Sequence, residues 1–178
     1  MPATRPSRPA PPRAAPSRRA PPRALALRQA LGRFATGVAA IVRARANGTV
    51  CGMTINSFAS LSLTPPLILW ALARESNMFD LFAEQGQFSV NVLHARQRDL
   101  AMELAQSRGH ELAPAQWQRG TRGAPVLTDA LARFECRVKN CVAGGDHVIM
   151  VGAIEHFDVS RRPPRAALLF LGGDYCAL

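Results

Sequence analysis

The sequence predicts a mainly β domain with short helices, its strands closing into an antiparallel barrel, and three observations lead there. Apolar runs rich in Val, Ile, Leu and Phe recur between residues 38 and 171, each short enough to be a single strand. Asn47-Gly48 separates two of them, and Asn-Gly between apolar runs is a strong hairpin signal because both residues tolerate the positive φ of a tight turn. The helical stretches are short and do not alternate regularly with strands, which removes the basis for a doubly wound parallel sheet.

Taken in order, residues 1–24 are built almost wholly from Pro, Ala, Arg and Ser, have little to bury, and are expected to form a disordered tail. Residues 25–178 are expected to be the folded domain. Residues 25–34 place apolar side chains at helical spacing and predict a short amphipathic helix packed on the domain, ending near Thr36-Gly37. Residues 38–46 and 49–55 are the two strands of the Asn47-Gly48 hairpin. The stretch 51–66 then turns polar, with Thr54, Asn56, Ser57, Ser60, Ser62 and Thr64 ahead of Pro65-Pro66, and predicts a loop anchored between two apolar strands. Residues 67–73 form the next strand. Residues 74–82 predict a helix with Ser76 or Asn77 as its N-cap and with Met78, Leu81 and Phe82 turned inward. Free amides at that helix start favour an anion, and Arg74 lies just upstream.

A strand is expected at 88–93 and a helix at 97–106, whose Asp99 and Glu103 share a solvated face. Residues 109–128, interrupted by Pro114, Gly120, Gly123 and Pro125, predict a long loop. Two long strands, 131–142 and 148–159, flank Gly145-Asp146-His147, and a last strand covers 166–171.

Composition narrows the function classes. At 178 residues the chain suits one domain, and no apolar run approaches the roughly 20 residues that span a bilayer. The net charge of +10 is uneven: Asp and Glu are absent before Glu75, and the first 24 residues carry only Arg among charged types. Nucleic-acid binding is therefore confined to the tail, since the basicity does not mark a groove in the domain. The tail lacks a continuous apolar segment of the secretory kind, so a cytoplasmic location is expected. Cys51, Cys136, Cys141 and Cys176 form no Cys-x-x-Cys or zinc pattern, and they read as isolated thiols. No Gly-x-Gly-x-x-Gly or Walker loop is present, and His147 and His156 stand at an odd strand offset that points them to opposite faces, so no metal is expected.

The ordered motifs Arg33-Phe34-Ala35-Thr36-Gly37-Val38, Gly52-Met53-Thr54-x-Asn56-Ser57-Phe58-x-Ser60-x-Ser62-Leu63-x-Pro65-Pro66, Phe88-Ser89-Val90-Asn91-Val92-Leu93, Gly145-Asp146-His147 and Gly173-x-Tyr175 resemble the flavin reductase-like family. Its members are the reductase partners of two-component flavin monooxygenases. The resemblance implies an FMN-binding split β-barrel and an NAD(P)H:flavin oxidoreductase acting on FMN or FAD with NADH or NADPH. It also implies a homodimer and a monooxygenase partner served by diffusing reduced flavin. On this resemblance Met53, Thr54, Ile55, Asn56, Ser57, Ala59 and Ser60 surround the flavin ring and ribityl chain, and Arg74, Ser76, Asn77 and Met78 stand at its phosphate. His147 and Tyr175 take the nicotinamide, with His147 as the catalytic residue that orients it. Such chemistry fits the absence of other catalytic devices, because a flavin itself accepts hydride and the protein need only position it. Two other classes stay open on the residues alone: a flavin- or heme-binding protein without reductase turnover, and a basic interaction protein acting through its tail.

Overall fold

The computed structural model describes residues 22–107, 110–161 and 166–177. Helix α1 (Pro22–Leu31) leads into β1 (Thr36–Gly37), β2 (Ala39–Ala44), β3 (Val50–Ile55), β4 (Ala59–Leu63) and β5 (Pro66–Ala73). Then follow α2 (Phe79–Ala83), β6 (Gln87–Val92), a 3-10 turn (Ala95–Gln97) and α3 (Arg98–Leu104). The short strands β7 (Trp117–Arg119) and β8 (Pro125–Leu127) precede the long pair β9 (Ala132–Gly144) and β10 (His147–Val159), and β11 (Leu168–Leu171) and β12 (Asp174–Ala177) end the described chain.

Seven strands form one antiparallel sheet in the order β3-β2-β6-β9-β10-β5-β4. Its two edge strands are consecutive in the chain, with only residues 56–58 between them. A flat seven-stranded sheet would hold its edges roughly 29 Å apart, whereas the linking residues span at most about 14 Å. The sheet therefore curls on itself until β3 and β4 meet at the Asn56 corner. A second sheet, β1-β11-β12, lies beside it, and β7 pairs with β8.

The concave side holds the main core. On β5 the alternation expected of a half-buried strand turns Ile68, Trp70 and Leu72 inward. Trp70 packs edge-on against Phe82 (ring centroids 6.0 Å, planes at 89°) and Phe88 (6.1 Å, 61°), with Ile41, Val90 and Met150 around them. A second cluster covers the outer face of β2, where Val38, Ala40 and Val42 meet Leu93, Ala101, Leu104, Leu127 and Leu168. Burial on both faces explains why residues 38–42 read as an unbroken apolar run. Asn91 ties this outer layer down, donating to the Ala40 carbonyl and accepting from the Leu127 amide. Burial pushes the Cys136 thiol up to about 12, so it stays protonated and inert at neutral pH. Cys141, five residues on, is exposed, but an extra residue at Lys139 cancels the odd offset, so it pairs with Met150 on the same face as Cys136 and its sulfur lies 3.6 Å from the Met150 sulfur.

Several expectations change here. The predicted loop at 51–66 contains strand β4, which pairs with β5 through Ala59, Ser60, Ser62 and Leu63, with a register shift at Leu61. Its side chains are almost all exposed, so it lacks the apolar alternation by which strands are read. The predicted helix at 74–82 shrinks to α2, whose N-cap is Met78 rather than Ser76 or Asn77. The Ser76 hydroxyl instead accepts from the Met78 amide and shapes the turn before the helix. The predicted loop at 109–128 contains the β7–β8 ribbon, and β12 continues the chain beyond the expected last strand. Helix α1 begins at Pro22, three residues inside the expected tail, and its residues 23–31 are exposed rather than packed on the domain. Residues 1–21 of that tail lie outside the described residues. No helix among the described residues is long and apolar enough to cross a membrane.

Candidate active site

The corner where β3 passes into β4 carries the hydroxyl-rich stretch. A pocket of about 130 Å³ opens there, lined by Val38, Thr54, Ile55, Asn56, Ala105, Phe170 and Tyr175. Cavities of about 150 Å³ take a benzene and drug-sized ligands need about 300 Å³ or more, so this pocket takes one ring of a larger molecule. Two sequence-distant expectations, the Thr54–Asn56 segment and Tyr175, are thus brought together. Phe170 holds the Tyr175 ring edge-on at 5.3 Å, and burial raises the Tyr175 phenol, partly offset by the nearby Arg98 charge.

Thr54 and Ser57 have internal work. The Thr54 hydroxyl donates to the Ala101 carbonyl at 2.8 Å, tying α3 to β3. The Ser57 hydroxyl accepts from the Ala71 amide at 3.0 Å and lies 3.4 Å from the Ala71 carbonyl, so it staples the corner to β5. Their remaining lone pairs stay available to a ligand, since each hydroxyl oxygen accepts twice. Asn56 between them is exposed, as are Ala59 and Ser60 on β4.

From Ala71 the strip continues up β5 to the β9–β10 turn. Ala73 pairs with His147, and the Arg74 amide donates to the Asp146 carbonyl. The Arg74 guanidinium donates to the Gly145 carbonyl at 3.2 Å. Gly145 turns the chain with φ +73°, a conformation that favours glycine. His147 Nδ1 lies 2.8 Å from an Asp146 carboxylate oxygen. That hydrogen bond, then the imidazole charge, holds the Asp146 carboxyl below its ordinary range. An ionised Asp146 accepts only, so Nδ1 carries the proton and Nε2 is left for a ligand.

The phosphate-end residues divide. Arg74 and Asn77 are exposed, but the Asn77 side-chain amide is spent on the Ser107 carbonyl. Ser76 contacts the Met53 sulfur at 3.8 Å, linking this end back to β3. Met78 is buried in the main core, against the expectation that it contacts ligand, because it is the apolar side chain that seats α2. His147 is not among the residues lining the Tyr175 pocket, so the expected nicotinamide pair stands at two ends of one strip. Val38, Ala105 and Phe170 were not legible as site residues, since nothing but the fold brings those apolar side chains to the corner.

The model of the flavin reductase like domain matches residues 31–178. The chain belongs to the flavin reductase-like family. This flavin reductase-like chain is 39% identical to a probable flavin reductase of Rhizobium meliloti over 134 residues, which cover 75% of the chain and 43% of that relative. It is 34% identical to the reductase subunit HsaB of a flavin-dependent monooxygenase from Mycobacterium tuberculosis, over 85% of the chain and 80% of HsaB. Among solved structures, the NADH:FAD oxidoreductase SgcE6 of Streptomyces globisporus, in complex with NAD and FAD fragments, superposes with a TM-score of 0.79 at 31% identity, covering 90% of this chain and 96% of that one. The chain thus carries a flavin reductase like domain on the fold its relatives share, while spanning less than half the length of the first of them, and the donor set beside it suits a flavin: a ring-sized pocket, exposed amide and hydroxyl groups, and an arginine at the far end.

Proposed function

We propose that the whole protein transfers hydride from NADH or NADPH to FMN or FAD on a split-barrel scaffold, and releases the reduced flavin to a separate flavin-dependent monooxygenase. The observation that carries this reading is the succession of groups from the Tyr175 pocket, through Asn56 and the Ser57 hydroxyl bonded to Ala71, to Arg74 and His147, in which Asn56 and Arg74 are exposed and Ser57 and His147 partly so. A site exposed in this way suits a flavin that binds and leaves. Thr54, Asn56, Ser57, Ala59 and Ser60 would face the ring and ribityl chain and Arg74 its phosphate, while His147 Nε2 and Tyr175 would take the nicotinamide. Holding the two rings face to face is the protein's main contribution, because aligning reactants can supply several kcal/mol of the barrier. The decisive assay is oxidation of NADH by the purified protein with and without added flavin. Flavin-dependent turnover supports the reading; flavin binding without turnover replaces it with a non-reductase carrier.

Removing the Thr54 and Ser57 hydroxyls together is expected to weaken flavin binding. Each hydrogen bond is worth on the order of 1 kcal/mol, so the pair comes to roughly thirtyfold in Kd. Each deletion also leaves the Ala101 carbonyl or the Ala71 amide without its partner. Fluorescence titration of Thr54→Ala/Ser57→Ala against flavin checks this, and unchanged affinity shows that the corner does not bind it.

A cytoplasmic homodimer completes the reading. Helix α1 and the turn after it expose Leu25, Leu27, Leu31 and Phe34, the last at 77%, and a helix of ten residues does not hold alone in water. Leu63, 91% exposed, and Phe157 line an apolar groove of about 770 Å³ with Pro66, Phe134 and Ile154. Surfaces of this kind are covered by a second subunit. Sedimentation at micromolar concentration is expected to give a dimer, and a fully active monomer would refute it.

A further inference from the structure

Arg74 holds the turn that carries His147, and its expected work at a phosphate does not use that hold. The turn is Gly145-Asp146, between Gly144 at the end of β9 and His147 at the start of β10. Two consecutive glycines, and a β9 end whose residues 139–144 are all exposed, leave it few contacts of its own. Arg74 supplies what is missing: its amide donates to the Asp146 carbonyl at 2.9 Å and its Nε donates to the Gly145 carbonyl at 3.2 Å. One residue at the end of the neighbouring strand thus takes both carbonyls of the turn. His147 itself is fixed by its pairing with Ala73 on β5 and by Asp146 at its Nδ1. Arg74 is exposed, and the terminal nitrogens of its guanidinium have no hydrogen-bond or ion-pair partner among the described residues.

We propose that Arg74 is a positioning residue for His147, and that through the turn it couples binding of the flavin phosphate to placement of the nicotinamide. The proposal rests on the oxidoreductase reading above, which puts the flavin phosphate at Arg74 and the nicotinamide at His147, and it adds the link between them. A guanidinium is planar and its donors are fixed relative to one another. A phosphate taken by the terminal nitrogens therefore orients the whole group, and Nε–H with it, towards the Gly145 carbonyl. Without an anion, a long exposed side chain samples many rotamers and holds the turn only part of the time; charge-assisted contacts outweigh that freedom. The coupling is reciprocal, as linkage requires. Ser57 is bonded to Ala71, three residues before Arg74, so the corner proposed for the flavin ring, the phosphate residue and the imidazole all lie along one short stretch of β5.

Riboflavin, which lacks the phosphate, separates this role from phosphate binding. With riboflavin as acceptor, Arg74→Gln is expected to lower kcat/KM for NADH about fivefold, the worth of one lost hydrogen bond to the turn. In the His147→Ala background the same change is expected to have no further effect, since no imidazole is left to place. Hydrogen exchange gives a readout without turnover: amide exchange at residues 145–147 is expected to be about fivefold faster in Arg74→Gln, and saturating FMN, but not riboflavin, slows it in the wild type. Wild-type riboflavin kinetics in Arg74→Gln, with only FMN affinity lost, would reduce Arg74 to a phosphate ligand and overturn the proposal. So would unchanged exchange at the turn, additive effects of Arg74→Gln and His147→Ala, or faster exchange throughout the sheet with a lowered Tm. A wild type whose turn is slowed by FMN but which reduces no flavin supports the Arg74 clamp and overturns the oxidoreductase reading instead.

Discussion

Alanine at position 147 is expected to lower kcat/KM for NAD(P)H by roughly tenfold or more, at least about 1.4 kcal/mol of transition-state stabilisation, while the flavin Kd barely moves. His147 begins β10 directly after the Gly145-Asp146 turn, and its Nδ1 is engaged by Asp146. The imidazole is thereby held through Nδ1, which leaves Nε2 to hydrogen-bond a carboxamide or place a ring. The corner proposed to face flavin is anchored separately, by the Thr54 and Ser57 hydroxyls. The Asp146 carboxyl is depressed in the folded protein, so its hold on His147 is present above the ordinary carboxylate pKa and is lost only as pH falls through the lowered value. Acidification within the neutral to mildly acidic range leaves that orientation intact. Asp146→Asn, which keeps the shape but not the charge, is expected to show a weaker form of the same defect. Stopped-flow reduction at saturating flavin reads the step directly, and a wild-type hydride-transfer rate with wild-type NAD(P)H affinity in His147→Ala would sink the assignment. A merely structural histidine would instead lower thermal stability and affect both substrates together.

Phe88→Ala is expected to cost about 3–5 kcal/mol of folding stability, enough to leave the protein partly unfolded at moderate temperature. Phe88 is 1% exposed and packs edge-on against Trp70 at the centre of the curled sheet. Its ring crosses β10 over Gly152, where an added Cβ would lie 2.7 Å from Phe88 Cζ and 3.0 Å from Ile68 Cδ1. Gly152→Ala alone should therefore destabilise by overpacking, on the order of 1–3 kcal/mol. Emptying the Phe88 site removes the closest of those contacts. In a double-mutant cycle Gly152→Ala is thus expected to cost less in the Phe88→Ala background than in wild type, by at least about 0.5 kcal/mol. Urea denaturation of the four proteins measures this, and strictly additive effects would show that ring and glycine do not meet.

Much of the fold was legible because its signals are local. Asn47-Gly48 announced the β2–β3 hairpin, and the structure places Gly48 at φ +87° between them. The unbroken apolar run of residues 67–73 announced β5, and the structure turns Ile68, Trp70 and Leu72 of it inward. Strand β4 was missed because its exposed Ser and Leu side chains carry no inside face to read, and α2 was overextended because Ser76 and Asn77 have cap chemistry but use it in a turn and on the Ser107 carbonyl. At the site, the stretch Met53–Ser60 and Gly145-Asp146-His147 stood out as motifs. That Met78 belongs to the core, and that Ala105 and Phe170 complete the pocket, did not.

The sequence by itself determined a mainly β domain, its strand-rich order, and membership in a reductase family through motifs whose residues lie close together in the chain. Only the tertiary structure decided that the sheet curls until β3 meets β4, that Tyr175 shares a pocket with Thr54 while His147 stands at the far end of the strip, and that the Thr54 and Ser57 hydroxyls are anchored to Ala101 and Ala71. The physical reason is separation: turn chemistry and side-chain alternation act between residues a few positions apart, whereas Thr54 meets Tyr175 across most of the chain, through contacts that exist only once the sheet has closed.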